Sequence, residues 1–212
     1  MSVVSVDVVV FDLGGVIVDL SGLERFLLRH NIDPTSFWPR WLGAGTHAGF
    51  ERGDIDADEF AVAFVAEFRL SISPDEFITE FTHWPSGLMP GARELVSSIN
   101  VPTATLSNTN PIHWHGPLMT DLATMFDRHF PSYQLGLAKP DPAIFERVVS
   151  LLEVPAPDVV FFDDNEINVV SARSVGLQAH RVDGPAAARQ ILVDLGVIAT
   201  ADLGTQAVRA IE

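Results

Sequence analysis

Apolar residues follow two rhythms along the chain, and their alternation predicts the architecture. Val3 to Phe11 is a mostly β-branched run, as expected of a strand buried on both faces of a parallel sheet. Val101 to Leu106 and Val159 to Phe162 repeat that character, and each follows a segment with helical spacing, Ala92 to Ile99 and Ile144 to Leu152. Strands separated by helices imply right-handed crossovers and a doubly wound, Rossmann-like α/β sheet. Arg128 to Phe130 and Gln178 to Val182 are shorter candidates for outer strands, and Pro185 to Leu195 for a last helix.

Between the first two strands the rhythm is helical throughout. Leu23 to His30, Ser36 to Leu42, Asp58 to Phe68 and Asp75 to Thr82 carry apolar residues at helical spacing, with Asp58 and Ser73-Pro74 as start signals. This stretch is too long for a loop. Residues 21–89 are therefore expected to form a helical domain inserted into a core made of residues 1–20 and 90–212. The role of the tail from Gly196 to Glu212 is not legible.

Composition narrows the functional classes. With 47% hydrophobic and 19% charged residues, the chain reads as a folded globular unit. It lacks cysteine, which excludes disulfides, thiolate metal sites and a cysteine nucleophile. The N-terminus has no basic region before its apolar run and no segment approaches the ~20 apolar residues of a membrane span, so a cytoplasmic location is expected. A net charge of −15 argues against nucleic acid, whose binding relies on many cationic contacts, and against anionic lipid. An anionic substrate would need local positive charge at its site.

That requirement falls on one residue. Lys139 is the only lysine, against twelve arginines, and lies in GLAKPDPAIF. A compact ammonium fits beside a phosphoryl oxygen or carboxylate where a planar guanidinium does not. A surface lysine left by compositional drift is the alternative reading of this residue alone.

Ligands of open α/β sheets bind beyond the carboxyl ends of the strands, and those ends are rich in chemistry here. Asp12 follows the first strand in FDLGGVIVD, Ser107 the next in TLSNTN, and Asp163 and Asp164 the third in FFDDNEIN. Singly, each has a bland reading: Asp12 as a strand-end carboxylate, Ser107 and Asn108 as turn formers, Asp163-Asp164 as a turn with a helix cap. Gly14 and Gly15 would expose backbone amides near Asp12. Four such features at the same relative place on four segments argue for one site.

This set, in order and with Lys139-Pro140 and Asn168, resembles the four motifs of the haloacid dehalogenase superfamily over about residues 5–195. FDLGGVIVD, ERGDIDADEF, LSNTN and VFFDDN are further similar to the bacterial α-D-glucose-1-phosphate phosphatase type. The resemblance implies that the inserted helices are a cap and that the substrate is a small phosphorylated metabolite, possibly a sugar-1-phosphate. It implies a catalytic set of Asp12 as nucleophile with Ser107 and Lys139, and a phosphate-binding set of Ser107, Asn108 and Lys139. It implies a magnesium ion held by Asp12, the Gly14 carbonyl and Asp164, with Asp163 and Asn168 in support. An all-oxygen site suits that hard cation.

One position departs from the pattern. Two residues after the nucleophile most phosphatases of the superfamily carry a second aspartate as acid/base, and here it is Gly14. A metal-free dehalogenase of the same fold and a catalytically silent binding protein are the competing readings. Trp41, His47 and Arg52, near GAGTHAGFERG, and His113 are candidates for the cap-side wall, although tryptophans at this spacing also suit a cap core.

Overall fold

The computed structural model describes residues 5–43 and 45–199. Strand β1 (Val8–Phe11) lies at the centre of a five-stranded parallel sheet. Two short strands, β2 (Val18–Asp19) and β3 (Gly87–Leu88), pair antiparallel and bracket the helical segment. The remaining sheet strands are β4 (Thr103–Ser107), β5 (Arg128–Pro131), β6 (Val159–Asp163) and β7 (Gln178–Arg181), in the order β5-β4-β1-β6-β7. All neighbours are parallel, with Phe11 opposite Thr105 on one side and Phe162 on the other.

Both faces of the sheet are covered, and β1 shows why its sequence is apolar at every position. Val9 and Phe11 point to one face, where α6 (Ala92–Ser97), α8 (Leu118–Leu122) and α12 (Gly184–Asp194) pack. Val8 and Val10 point to the other, against α10 (Pro142–Leu152) and α11 (Glu166–Ser174). A strand wedged between two helical layers has no solvent face for polar residues. The doubly wound expectation holds.

Residues 21–81 carry α1 (Ser21–Arg29), α2 (Pro34–Gly43), α3 (Gly45–Arg52), α4 (Ala57–Phe68) and α5 (Pro74–Phe81). They bury a hydrophobic cluster of their own, dominated by aromatic rings. Phe64 stacks on Phe77 with ring centroids 4.3 Å apart and Phe50 on Phe60 at 4.5 Å. Ser73 starts α5 with a capping box to Glu76, as its sequence position suggests. The start of α4 differs from expectation: Asp56, not Asp58, accepts the capping N–H, from Glu59.

Three further features were not predicted. The Gly-rich segment around residue 47 is helix α3, which buries His47, Gly49, Phe50 and Glu51 and packs against α4 and α9 (Ser132–Leu135). Short helices α7 (Pro111–Trp114) and α9 follow β4 and β5, and α11 follows the two aspartates. The run beginning at Val3 is strand only from Val8, with Met1 to Val4 outside the described residues. Of the tail, Ile198 is buried against the sheet cluster that includes Val9, and residues 200–212 lie outside the described part. No helix among the described residues is long and apolar enough to cross a membrane.

Candidate active site

Parallel strands deliver their carboxyl ends to one edge of a sheet, and here those ends converge. Asp12 follows β1, Ser107 ends β4 and Asp163 ends β6. Lys139, on the loop before α10, reaches the same point: its Nζ lies 2.6 Å from Asp163 Oδ2 and 2.9 Å from Asp12 Oδ1. It is 5% exposed. The lone lysine is thus the buried counter-ion of an acidic cluster, and a branched guanidinium would not fit the same two contacts.

The carboxylates are not equivalent. Asp163 is fully buried and engaged on both oxygens: Oδ1 accepts from the Asn165 N–H and the Asn168 side chain, each at 2.9 Å, and Oδ2 accepts from Lys139. Its lone pairs are committed to holding Lys139 and the start of α11. Asp164 is exposed and faces the open side, together with Asp12. One oxygen each of Asp12, Asp163 and Asp164 lies within 4.8 Å of the others.

Burial dominates the titration of Asp12 and pushes its carboxyl up to about 7, against the opposing pull of Lys139, with Asp163 and Asp164 adding to the rise. Desolvation, then Asp163, raises Asp164 as well. Lys139 moves the other way from what burial dictates: desolvation would lower it, but the two carboxylates at contact distance hold it above its ordinary value.

Asn108 has a role that its sequence position concealed. Its side-chain Oδ1 accepts from the Lys139 N–H and its Nδ2 donates to the Lys139 carbonyl, both at 2.8 Å. The peptide that follows, Lys139-Pro140, is cis. The carboxamide clamps the lysine loop, which leaves only the backbone of Asn108 to meet an anion.

The glycines also divide. Gly14 lines the cavity and has room at its α-carbon bounded by Leu20, whose Cδ1 would stand 3.0 Å from an added Cβ. Gly15 has φ +70°, and a side chain there would collide with the Asp164 carboxylate. Its N–H donates to Val18 O at 3.1 Å, so the expectation of a free amide at Gly15 is corrected: this residue provides close approach, not an anion contact.

Asp12, Gly14, Ser107, Asn108, Lys139, Asp164 and Asn168 all line one cavity of about 890 Å³, and Trp41, His47, Arg52 and His113 line it too. His47 stacks on Trp41 with centroids 4.1 Å apart, and its Nε2 lies 3.5 Å from Glu51 Oε2. Arg52 is paired with Asp54 at 2.8 Å. His113 stacks on Phe81, donates from Nε2 to the Phe81 carbonyl at 2.8 Å, and accepts at Nδ1 from Asn110 at 3.2 Å. Both nitrogens suit the neutral ring, and burial lowers its pKa to about 4. It joins the helical segment to the loop after β4.

Two residues that the sequence did not single out complete the arrangement. Ser132, fully buried, donates to the Glu51 carbonyl at 2.6 Å and accepts from the Thr109 N–H at 2.9 Å, fastening α3 to the core. Trp84, at the exit of the helical segment, forms part of the cavity wall. Neither sits in a motif, and their roles depend on contacts to distant segments.

A family model of haloacid dehalogenase-like hydrolases matches residues 6–176. The D-ribitol-5-phosphate phosphatase of Bacteroides thetaiotaomicron is 26% identical over 201 residues, covering 87% of this chain and 95% of that protein. The sesquiterpene phosphatase AstK of Aspergillus oryzae is 26% identical over 149 residues, covering 64% and 71%. The drimenol cyclase DrtB of Aspergillus calidoustus is 50% identical over 56 residues, 26% of this chain but only 11% of that protein's length. Among solved structures, the wild-type HAD family enzyme BT-2542 of B. thetaiotaomicron, in complex with magnesium and inorganic phosphate, superimposes with a TM-score of 0.67 at 23% identity, covering 84% and 94% of the two chains. A dehalogenase in an intermediate complex superimposes with a TM-score of 0.66 at 19% identity over 84% and 85%. Fold alone does not choose between the two chemistries.

Proposed function

Because the chain belongs to the haloacid dehalogenase-like hydrolases, with phosphatases among its relatives, we propose that it is a magnesium-dependent phosphatase acting through an aspartyl-phosphate on Asp12. The observation that carries this reading is Lys139 Nζ, held between Asp12 and Asp163 at the head of a cavity. Three carboxylates meet there, with Lys139 in contact with two of them and Arg181 acting on Asp164. An acidic cluster whose carboxyls are raised by burial and mutual repulsion is relieved by a bound cation, whereas a metal-free dehalogenase would gain nothing from this concentration of charge.

The residues fit magnesium. Asp12, the Gly14 carbonyl and Asp164 would hold it, an all-oxygen set on the open side, while Asp163 and Asn168 support from behind. When bound, the ion supplies positive charge between a carboxylate and a phosphate that otherwise repel. Asp12 attacks phosphorus, the bond to the ester oxygen breaks, and that oxygen leaves with the bonding electrons. Lys139, the Ser107 hydroxyl and the Asn108 backbone amide take the remaining phosphoryl oxygens. Water then attacks the same phosphorus, releasing phosphate and restoring the Asp12 carboxylate.

Gly14 leaves no side chain to protonate the leaving oxygen, and general acid catalysis is worth roughly 10²- to 10⁴-fold. The site therefore favours leaving groups acidic enough to depart unaided, such as an anomeric sugar hydroxyl or a phenol. Residues 21–89 act as the cap, fastened by Ser132 and His113. Phosphate release from p-nitrophenyl phosphate, with magnesium and with EDTA, beside Asp12→Asn, tests this reading. Loss of activity with chelator and with the substitution is expected; halide release from a 2-haloacid in the presence of EDTA would replace it with the dehalogenase.

A further inference from the structure

The walls of the cavity contrast with its floor. The chain has four tryptophans, Trp38, Trp41, Trp84 and Trp114, and all four line it. They come from α2, from the exit of the helical segment and from α7, which are far apart in sequence. Leu118 and Met119 of α8 continue the apolar surface. Trp38 is 42% exposed, an indole left in contact with water. Trp84 is 3% exposed and Trp41 is stacked by His47 and Phe37, so among the four it is Trp38, on the cavity wall, that offers a free face for a ring to cover.

Size points the same way. Cavities of about 300–1,000 Å³ take drug-sized ligands, and this one, at about 890 Å³, is near the upper end. A phosphate with a short polyol would leave much of it filled by water. On the upper wall Arg52 is paired with Asp54 and His113 with the Phe81 carbonyl and Asn110, while His47 Nε2 lies 3.5 Å from Glu51 and its Nδ1, like Trp84 Nε1, has no hydrogen-bond partner among the described residues. Two such isolated groups do not match a whole ring of sugar hydroxyls, and a buried hydroxyl without a partner is unfavourable.

We infer that the leaving group is large, apolar and ring-bearing, so that the substrate is the phosphomonoester of a substituted or polycyclic phenol and not of a polyol. A phenolic oxygen also departs without the proton that Gly14 cannot give. The class of substrate rests on the phosphatase reading for its chemistry, so the test is a binding measurement that does not require turnover.

Methyl-, phenyl- and 4-biphenylphosphonate are titrated calorimetrically into the full chain with magnesium, and glucose 1-phosphate into the Asp12→Asn chain. Burying two rings should lower Kd by about 100-fold from methyl to 4-biphenyl. Trp38→Ala should weaken the biphenyl compound about tenfold and methylphosphonate less than twofold, and Trp38→Phe should recover most of the loss. Affinities equal within threefold across the series, or glucose 1-phosphate binding tighter than 4-biphenylphosphonate, would overturn the inference. Hydrolysis of p-nitrophenyl phosphate is scored separately, so a flat binding series with intact turnover rejects the substrate class alone.

Discussion

The side chain of Asn108 and the backbone of Lys139 face each other across two hydrogen bonds of 2.8 Å, one in each direction. A residue that sequence places in a phosphate-binding turn is therefore also the clamp on the loop that delivers the only lysine. Deleting the clamp should misplace the ammonium. Asn108→Ala leaves a peptide N–H and C=O unpaired, each at roughly 1–3 kcal/mol if no water replaces the partner. Turnover should fall at least about tenfold, since small displacements of a positioned charge are expensive, with circular dichroism unchanged. Wild-type turnover in this variant would show that Lys139 needs no clamp.

Lys139→Arg should be nearly inactive, by about 10²-fold or more, despite retaining the charge. The ammonium sits between two carboxylates at 2.6 and 2.9 Å in a buried site, and a guanidinium requires a wider one. Steady-state kinetics on p-nitrophenyl phosphate measure this directly. Activity within threefold of wild type would refute the packing argument.

Adjacent aspartates should fail differently. Asp164→Asn should raise the magnesium concentration needed for half-maximal activity by about tenfold or more while leaving the melting temperature nearly unchanged, because the side chain is exposed and faces the open side. Asp163→Asn removes the charge paired with Lys139 and turns one of the two acceptor oxygens into a donor in a fully buried position, and should cost about 3 kcal/mol of stability. Denaturant melts and magnesium titrations of both variants would expose an error if the two behaved alike.

Gly14→Asp should restore a proton donor and speed simple alkyl phosphates more than p-nitrophenyl phosphate. The added Cβ meets Leu20 Cδ1 at 3.0 Å, the end of a flexible side chain, so Leu20→Val is a sensible companion change. A uniform gain across leaving groups would mean that the missing acid does not set the substrate preference.

His113 makes stability depend on pH. Its pKa is about 4 in the folded chain and ordinarily 6.5, so between those values the unfolded state binds a proton that the folded state does not. Its contribution is fully present above pH 6.5 and is lost as pH falls toward 4, by up to roughly 3 kcal/mol. Asp12 and Asp164, raised in the folded state, slope the opposite way, so the difference between wild type and His113→Gln is the informative quantity. That difference should narrow from pH 7 to pH 4.5; a constant difference would assign the histidine no protonation linkage.

Much of this molecule was written in local pattern. The uninterrupted apolar strands identified a sheet covered on both faces, because a parallel strand between helical layers has no position for a polar residue, and the acidic ends of β1 and β6 marked the edge that carries the candidate site because parallel topology brings those ends together. Lys139 stood out because its type was unique. What tertiary structure alone decided was how each polar atom is engaged: that Asp163 turns inward to Lys139 and Asn168 while Asp164 turns outward, that Asn108 clamps a loop 31 residues away, and that Ser132 grips Glu51 across 81. Such bonds join segments with no shared periodicity, and a side chain's partner depends on packing that no single segment encodes. The four tryptophans were visible one by one; only folding put them around one cavity.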